Sequence, residues 1–186
     1  MSFAHGLQNV PCPPNTSTES DMVPNIQIQI QPEDPATPDV SALLSEHLSD
    51  MAATSPPESV HALDITALRA DNIDFYTARA LNNHLPEGAR QLLGCAALKQ
   101  LSADEGELKS MRTAQAHLRK GVAGQLLQHI VEQARLKGMS SLSLETGTPD
   151  YFRPARQLYA RFGFIECPPF ADYKPDPFSL CMRYML

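Results

Sequence analysis

The segment "HLRKGVAGQLLQHI", residues 117–130, sets His117, Arg119 and Lys120 beside Gly121 and Gly124, directly ahead of an apolar pattern with helical spacing. The first turn of a helix leaves backbone N–H groups without partners, and the helix dipole adds partial positive charge, so such an end suits a phosphate. Gly121 and Gly124, with Ala123 nearly as small, let the backbone approach an anion closely. Arg119 and Lys120 add charge nearby. Behind them Val122, Leu126, Leu127, Ile130, Val131 and Ala134 form a single stripe, which predicts a helix over about 122–137 held firmly against a sheet. The alternative for the same residues is an ordinary amphipathic helix with a glycine-containing entry and solvated charges. The loop has neither the GxxxxGKS/T pattern of a Walker loop nor the GxGxxG of a dinucleotide fingerprint.

Charge narrows the partners. The 186 residues carry a net charge of -6, which argues against a surface built to grip nucleic acid. Residues 1–68 hold nine acids and no Lys or Arg, whereas residues 109–137 hold six basic residues against Glu132 alone. A confined positive region on an acidic chain suits one small polyanionic ligand. The four cysteines, at 12, 95, 167 and 181, have no CxxC spacing, and the six histidines form no HxxxH pair or zinc pattern. Reduced thiols and no metal are therefore expected, with Cys95 and Cys181 packed in strands. The start lacks a basic, apolar leader, and no stretch approaches the roughly 20 apolar residues of a membrane helix, so a soluble cytoplasmic protein with no membrane partner is expected.

The elements that must position the loop follow from periodicity. Residues 1–25 are rich in Pro, Ser, Thr and Asn and read as a flexible tail ahead of a domain over 26–186. "NIQIQIQ" alternates as a half-buried strand, and "PDVSALLSEHLSDMAA" places Val40, Leu43, Leu44, Leu48 and Met51 on one helical face. "TSPPESVHALDITALRADN" reads as a loop leading into a short helix. "IDFYTARA", "RQLLGCAALKQL" and "GELKSMRT" predict an antiparallel meander. After the 122–137 helix come the strand "SLSLET", a helix around 152–162, and the strands "GFIEC" and "FSLCMRYM". The order β-α-α-β-β-β-α-β-α-β-β predicts an α/β chain around a central sheet.

Two stretches carry a family resemblance. "GELKSMRT" followed by "HLRKGVAG" resembles the GNAT superfamily's pyrophosphate loop, Q/R-x-x-G-x-G/A, with Gly121 and Ala123 at the small positions and Leu118 where Gln or Arg is usual. "PARQLYARFGF" resembles its A-x-x-L-Y-x-x-x-G-F segment, with Ala155, Leu158, Tyr159, Gly163 and Phe164 matching. Phe152 stands where many members have Asn, a departure that bears on one polar contact to the cofactor. "ATSPPESVHAL" and "PFADYKPDPFSLCM" further resemble the bacterial branch called YsnE-like or indole-acetate-type. The resemblance implies a mixed sheet of about six or seven strands with helices on both faces. It also implies acetyl-CoA as cosubstrate, lying between two splayed parallel strands, "GELKSMRT" and "SLSLET". Backbone groups of Met111 and Thr113 would pair with the pantetheine arm, amides of Arg119, Lys120, Gly121, Val122, Ala123 and Gly124 would face the diphosphate, and Phe152 would lie beside the cofactor. Pairing of two copies through sheet edges is a family habit.

The implied reaction is acetyl transfer to a primary amine of a small molecule or peptide. An alkyl ammonium has a pKa near 10.4, so a base must remove a proton before the nitrogen attacks. By the resemblance Glu107 is that base, with Glu105 the fallback and a water the relay; an edge carboxylate facing solvent is the alternative for Glu107. A free N–H near Met111 would meet the oxyanion, and Tyr159 would protonate the departing thiolate. Glu46, His47, Ser59, His61 and Tyr173 are the acceptor-side candidates. The departures at Leu118 and Phe152 motivate a second class, a domain that binds acetyl-CoA as a sensor or interaction module without turnover. A bulkier acyl-CoA donor is the third.

Overall fold

Strand-forming, β-branched and apolar runs pair here into one seven-stranded mixed sheet, with helices on both of its faces. The computed structural model describes residues 27–54, 56, 63–81 and 90–186. The expected tail and its junction with the domain lie outside them. The elements run β1 (Ile28–Pro32), α1 (Pro38–Thr54), α2 (Ile65–Leu68), β2 (Ile73–Ala80), β3 (Leu92–Gln100), β4 (Glu105–Thr113), α3 (Val122–Leu136), β5 (Ser141–Gly147), α4 (Arg153–Arg161), β6 (Ile165–Cys167) and β7 (Ser179–Met185). Single 3-10 turns at Gln115–His117 and Asp150–Phe152 lead into α3 and α4. This is the order the periodicity predicts. No helix among the described residues is long and apolar enough to cross a membrane.

The sheet order is β1-β2-β3-β4-β5-β7-β6. β2 to β4 form the expected antiparallel meander, and β1 adds antiparallel to β2. β4 and β5 are parallel, which the intervening α3 crossover makes possible. The stripe on α3 is buried as its spacing requires: Val122, Leu126, Leu127, Ile130, Val131 and Ala134 join Leu108, Leu142 and Leu144 of the central strands and Tyr159 of α4 in one core. Each fully buried Val, Leu or Ile side chain contributes about 1.5–3 kcal/mol, so α3 is held as a rigid unit. The other sheet face packs against Val40, Leu43 and Leu44 of α1 and Leu68 of α2.

A buried arginine fixes where α1 begins. Arg79 of β2, 2% exposed, reaches Asp39 in the first turn of α1 at 2.8 Å, and also binds Glu33 in the preceding connection. This pins the entry to α1 across the sheet, and hence the line along which its later residues approach β4. Asp39 also suits the helix's positive end.

The basic region over 109–137 does not survive folding as one patch. Lys109 pairs with Glu107, Arg112 with Glu46 and Asp50, and Lys137 with Asp74. Arg112 meets acids distant in sequence because α1 packs beside β4, Lys137 meets one from β2 at the end of α3, and Lys109 takes a neighbour on its own strand. Arg119 and Lys120, at the exposed entry to α3, stay together.

Candidate functional site

The parallel pairing of β4 and β5 lasts only from Glu105 opposite Ser141 to Leu108 opposite Leu144. Beyond that point β4 continues to Thr113 against β3, and β5 continues to Gly147 against β7. The two strands therefore part, and the gap opens into a cavity of about 100 Å3. α1 lines it from one face of the sheet with His47 and Met51, and α4 from the other with Ala155 and Tyr159. Glu145 and Lys109 supply charge on its strand walls.

β4 is irregular along this gap. Lys109 faces Ala97 and Arg112 faces Cys95, so β4 spends one more residue than β3 over the same interval. Ser110 takes the strain with φ 49°. A bulge of this kind leaves an extra residue outside the ladder, and here Ser110 and Met111 at the bulge both line the cavity. The splay and the bulge thus put the β4 backbone beside the cavity.

Glu145 is the group that sequence reading overlooked. In "SLSLET" the alternation assigns Ser141, Ser143 and Glu145 to the polar face, which ordinarily means solvent. In this central strand Ser141 and Ser143 on that face are buried, and burial pushes the Glu145 carboxyl up to about 7, a rise that both the Lys109 charge and a hydrogen bond with Ser179 oppose. The signal available in the sequence was a lone acid inside a run otherwise free of charge.

Glu107, the base implied by resemblance, does not reach the cavity. It is 2% exposed and lies behind Lys109, accepting a 2.6 Å hydrogen bond from the Tyr173 hydroxyl and standing 3.3 Å from the Lys109 ammonium. The solvent-facing edge alternative fails too, since the side chain is buried. Glu105, the fallback, sits at the closed end of the strand pair, 3.8 Å from Arg183. Tyr159 does line the cavity; burial, then the Glu145 charge, raises its phenol above the usual tyrosine range.

The acceptor-side candidates separate. His47 lines the cavity, its Nδ1 without a hydrogen-bond partner, and burial followed by the Arg112 charge drops its pKa to about 4, so the ring is neutral. Glu46 instead binds Arg112 at 3.0 Å. Arg112 also bonds Asp50 and the Tyr151 hydroxyl, and that hydroxyl donates to Asp50 at 3.0 Å. This strap ties the second half of α1 to the turn before α4. Tyr173 is engaged with Glu107 and Lys109 rather than with the cavity. Ser59 and His61 lie outside the described residues.

The cofactor-side candidates are spread along β4 and the α3 entry. Met111 and Phe152 line the cavity, and Thr113 ends β4 beyond it. Phe152 packs its ring directly against Gly147, where an added Cβ would meet it at 2.2 Å. Gly121 precedes α3 with φ 82° and Arg119 has φ 61°, a left-handed pair of positions that turns successive amides toward one side. A Cβ at Gly121 or Gly124 would meet nothing within 4 Å, so the helix start is open. Val122 turns its side chain into the core, and only its backbone can serve a ligand. His117 is buried beneath with both ring nitrogens unpartnered, and burial and Lys120 lower its pKa.

Comparison with known proteins agrees with this geometry. The family model for acetyltransferases (GNAT) matches residues 41–164. The chain is 52% identical over 147 residues to the Bacillus subtilis (strain 168) N-acetyltransferase YsnE, itself uncharacterized, covering 79% of this chain and 92% of that protein. It is 47% identical over 150 residues to the likewise uncharacterized N-acetyltransferase YedL of Escherichia coli (strain K12), covering 81% and 89%. In fold it is similar to a GNAT family acetyltransferase from Elizabethkingia anophelis with acetyl-CoA bound, at a TM-score of 0.58 and 20% identity, covering 86% of this chain and 98% of that one.

Proposed function

The chain belongs to the GNAT family of acetyltransferases, and from that premise we propose that it moves the acetyl group of acetyl-CoA to a primary amine by direct attack, with both substrates bound together. The observation that carries the reading is the parting of β4 and β5 at Leu108 and Leu144, which opens a cavity holding Glu145 and Tyr159 together.

The α3 entry fits a diphosphate. A Cβ at Gly121 or Gly124 would meet nothing within 4 Å, so the backbone there is open to an anion that the amides from Arg119 to Gly124 would bind, and Arg119 and Lys120 add charge. Backbone groups of Met111 and Thr113 would pair with the pantetheine arm, and the apolar walls Leu108, Phe152 and Ala155 would shield the thioester from water.

Within that cleft Glu145 replaces Glu107 as the base. A carboxylate titrating at about 7 is half ionised near neutrality and is a better acceptor for an ammonium proton than one in the usual range. The free amine then attacks the thioester carbonyl, and the carbonyl electron pair moves to oxygen. An amide freed by the β4 bulge beside Met111 donates to that oxyanion. Collapse re-forms the carbonyl and expels the thiolate, and the nitrogen's second, surplus proton passes to solvent. Tyr159, whose burial keeps it protonated, donates to the departing sulfur. His47 presents a neutral ring nitrogen to the acceptor from α1.

The test is thiol release from acetyl-CoA across a panel of primary amines and amine-bearing peptides. Release with at least one amine is expected; binding of acetyl-CoA with no release on the whole panel would favour a sensor. Tyr159→Phe should lower kcat about 10- to 100-fold and leave coenzyme A affinity unchanged by calorimetry. Weakened binding in that variant would return Tyr159 to a packing role.

A further inference from the structure

Lys109 occupies a position that the reaction scheme leaves unexplained. It is the one cation among the residues lining the cavity, and it projects from β4 toward the same space as Glu145 on β5. Its ammonium is not loose. Nζ donates to the Tyr173 hydroxyl at 2.6 Å, that hydroxyl donates to Glu107 at 2.6 Å, and Glu107 stands 3.3 Å from Nζ. The three groups close a triangle, with Tyr173 brought in by the 168–178 connection between β6 and β7.

We propose that Lys109, clamped by Tyr173 and Glu107, is a positioning residue that holds Glu145 as the ionised proton acceptor of the cavity. The inference rests on the acetyltransfer reading above. Its logic is electrostatic. A carboxylate taken from water into a cavity walled by Met51, Leu108, Met111 and Phe152 becomes neutral unless an opposite charge stands near it. Glu107 balances Lys109 overall, but it lies outside the cavity, whereas Lys109 and Glu145 both line it, so the cation is the charge that shares the cavity with Glu145. A lysine on a flexible stem costs rotamer entropy to hold in one place. The two 2.6 Å bonds meet that cost, which gives the buried Glu107 and Tyr173 a role without contact with substrate.

Of the other groups around Glu145, Ser179 also favours the ionised form, through a hydrogen bond rather than a charge. Tyr159 of α4 interacts with it as a neutral phenol, and His47 of α1 is a neutral ring. Cys181 of β7 stands opposite it in register, and Ser179 gives a hydrogen bond. Tyr173 and Asp176 of the 168–178 connection, with Glu107 of β4, are neutral or negative. Burial alone would carry the carboxyl beyond the value of about 7 at which it rests, and Lys109 is the charge that opposes this.

The test is a pH titration of the full chain labelled with glutamate carrying 13C in its side-chain carboxyl, the Glu145 signal being assigned by its loss in Glu145→Gln. The expected midpoint is near 7. Lys109→Met should move it up by about one pH unit or more, Lys109→Arg should bring it back, and Tyr173→Phe should fall between. Because Lys109→Met strands Glu107, the double variant Lys109→Met with Glu107→Gln removes the pair together; it should also move the midpoint up, by less, since the Glu107 charge itself raises it. An unmoved midpoint in both variants overturns the inference while leaving Glu145 as base. Wild-type thiol release by Glu145→Gln overturns the base assignment instead, and this inference with it.

Discussion

Glu145→Gln lowers kcat/KM for acetyl transfer about 1,000-fold at pH 8, within the range a positioned acid or base contributes. Glutamine keeps the shape and the hydrogen-bonding oxygen but accepts no proton, so the loss reports proton transfer rather than packing. The wild-type rate should climb as pH rises through about 7, where the carboxyl ionises, and the variant should lack that limb. Stability should move the other way. The folded carboxyl holds its proton more tightly than its ordinary value of 4.5, so the folded state binds more protons between the two values and loses stability as pH rises across them. The penalty is absent below about 4.5 and complete above about 7. Glutamine escapes it, so the variant's Tm should exceed the wild type's at pH 8, by the equivalent of at most about 3 kcal/mol, and the gap should close at pH 4. A slower, more stable variant is what a group strained for function predicts. Wild-type turnover in the variant would remove Glu145 from the reaction.

Gly121→Glu should weaken coenzyme A binding by about 100-fold or more in calorimetry. Two effects combine. The residue has φ 82°, where an L side chain costs about 1–2 kcal/mol, and the added carboxylate would stand in the open space at the helix start that the proposed diphosphate shares. Gly121→Ala isolates the first effect, because its Cβ meets nothing within 4 Å. It should bind coenzyme A within about tenfold of wild type, the equivalent of about 1.4 kcal/mol. Equal affinities in the glutamate variant and the wild type would move the diphosphate away from α3.

The fold was legible because its determinants are local. The α3 stripe and the Val40, Leu43 and Leu44 face each encode an element and its buried side, and the runs at 73–80 and 141–147 encode strands, although in these both faces are largely buried. The two family-like segments lie on the elements that flank the cavity, since a glycine-containing helix entry and a short helix carrying Tyr159 need only short-range sequence to be recognised.

The acid–base assignment was different in kind. Glu107 and Glu145 are both carboxylates on strands, and their spacing carries no trace of which one faces the opening. That depends on where β4 and β5 stop pairing, on a bulge at Ser110, and on Tyr173 returning from 66 residues away to close over Glu107. Likewise the cations of 109–137, contiguous on paper, were divided by acids from α1 and β2. Periodicity reports which side of an element is buried, because burial follows from the chain's own geometry. The charge state and reach of a buried polar group follow from its neighbours across the sheet, and only tertiary contact decides those.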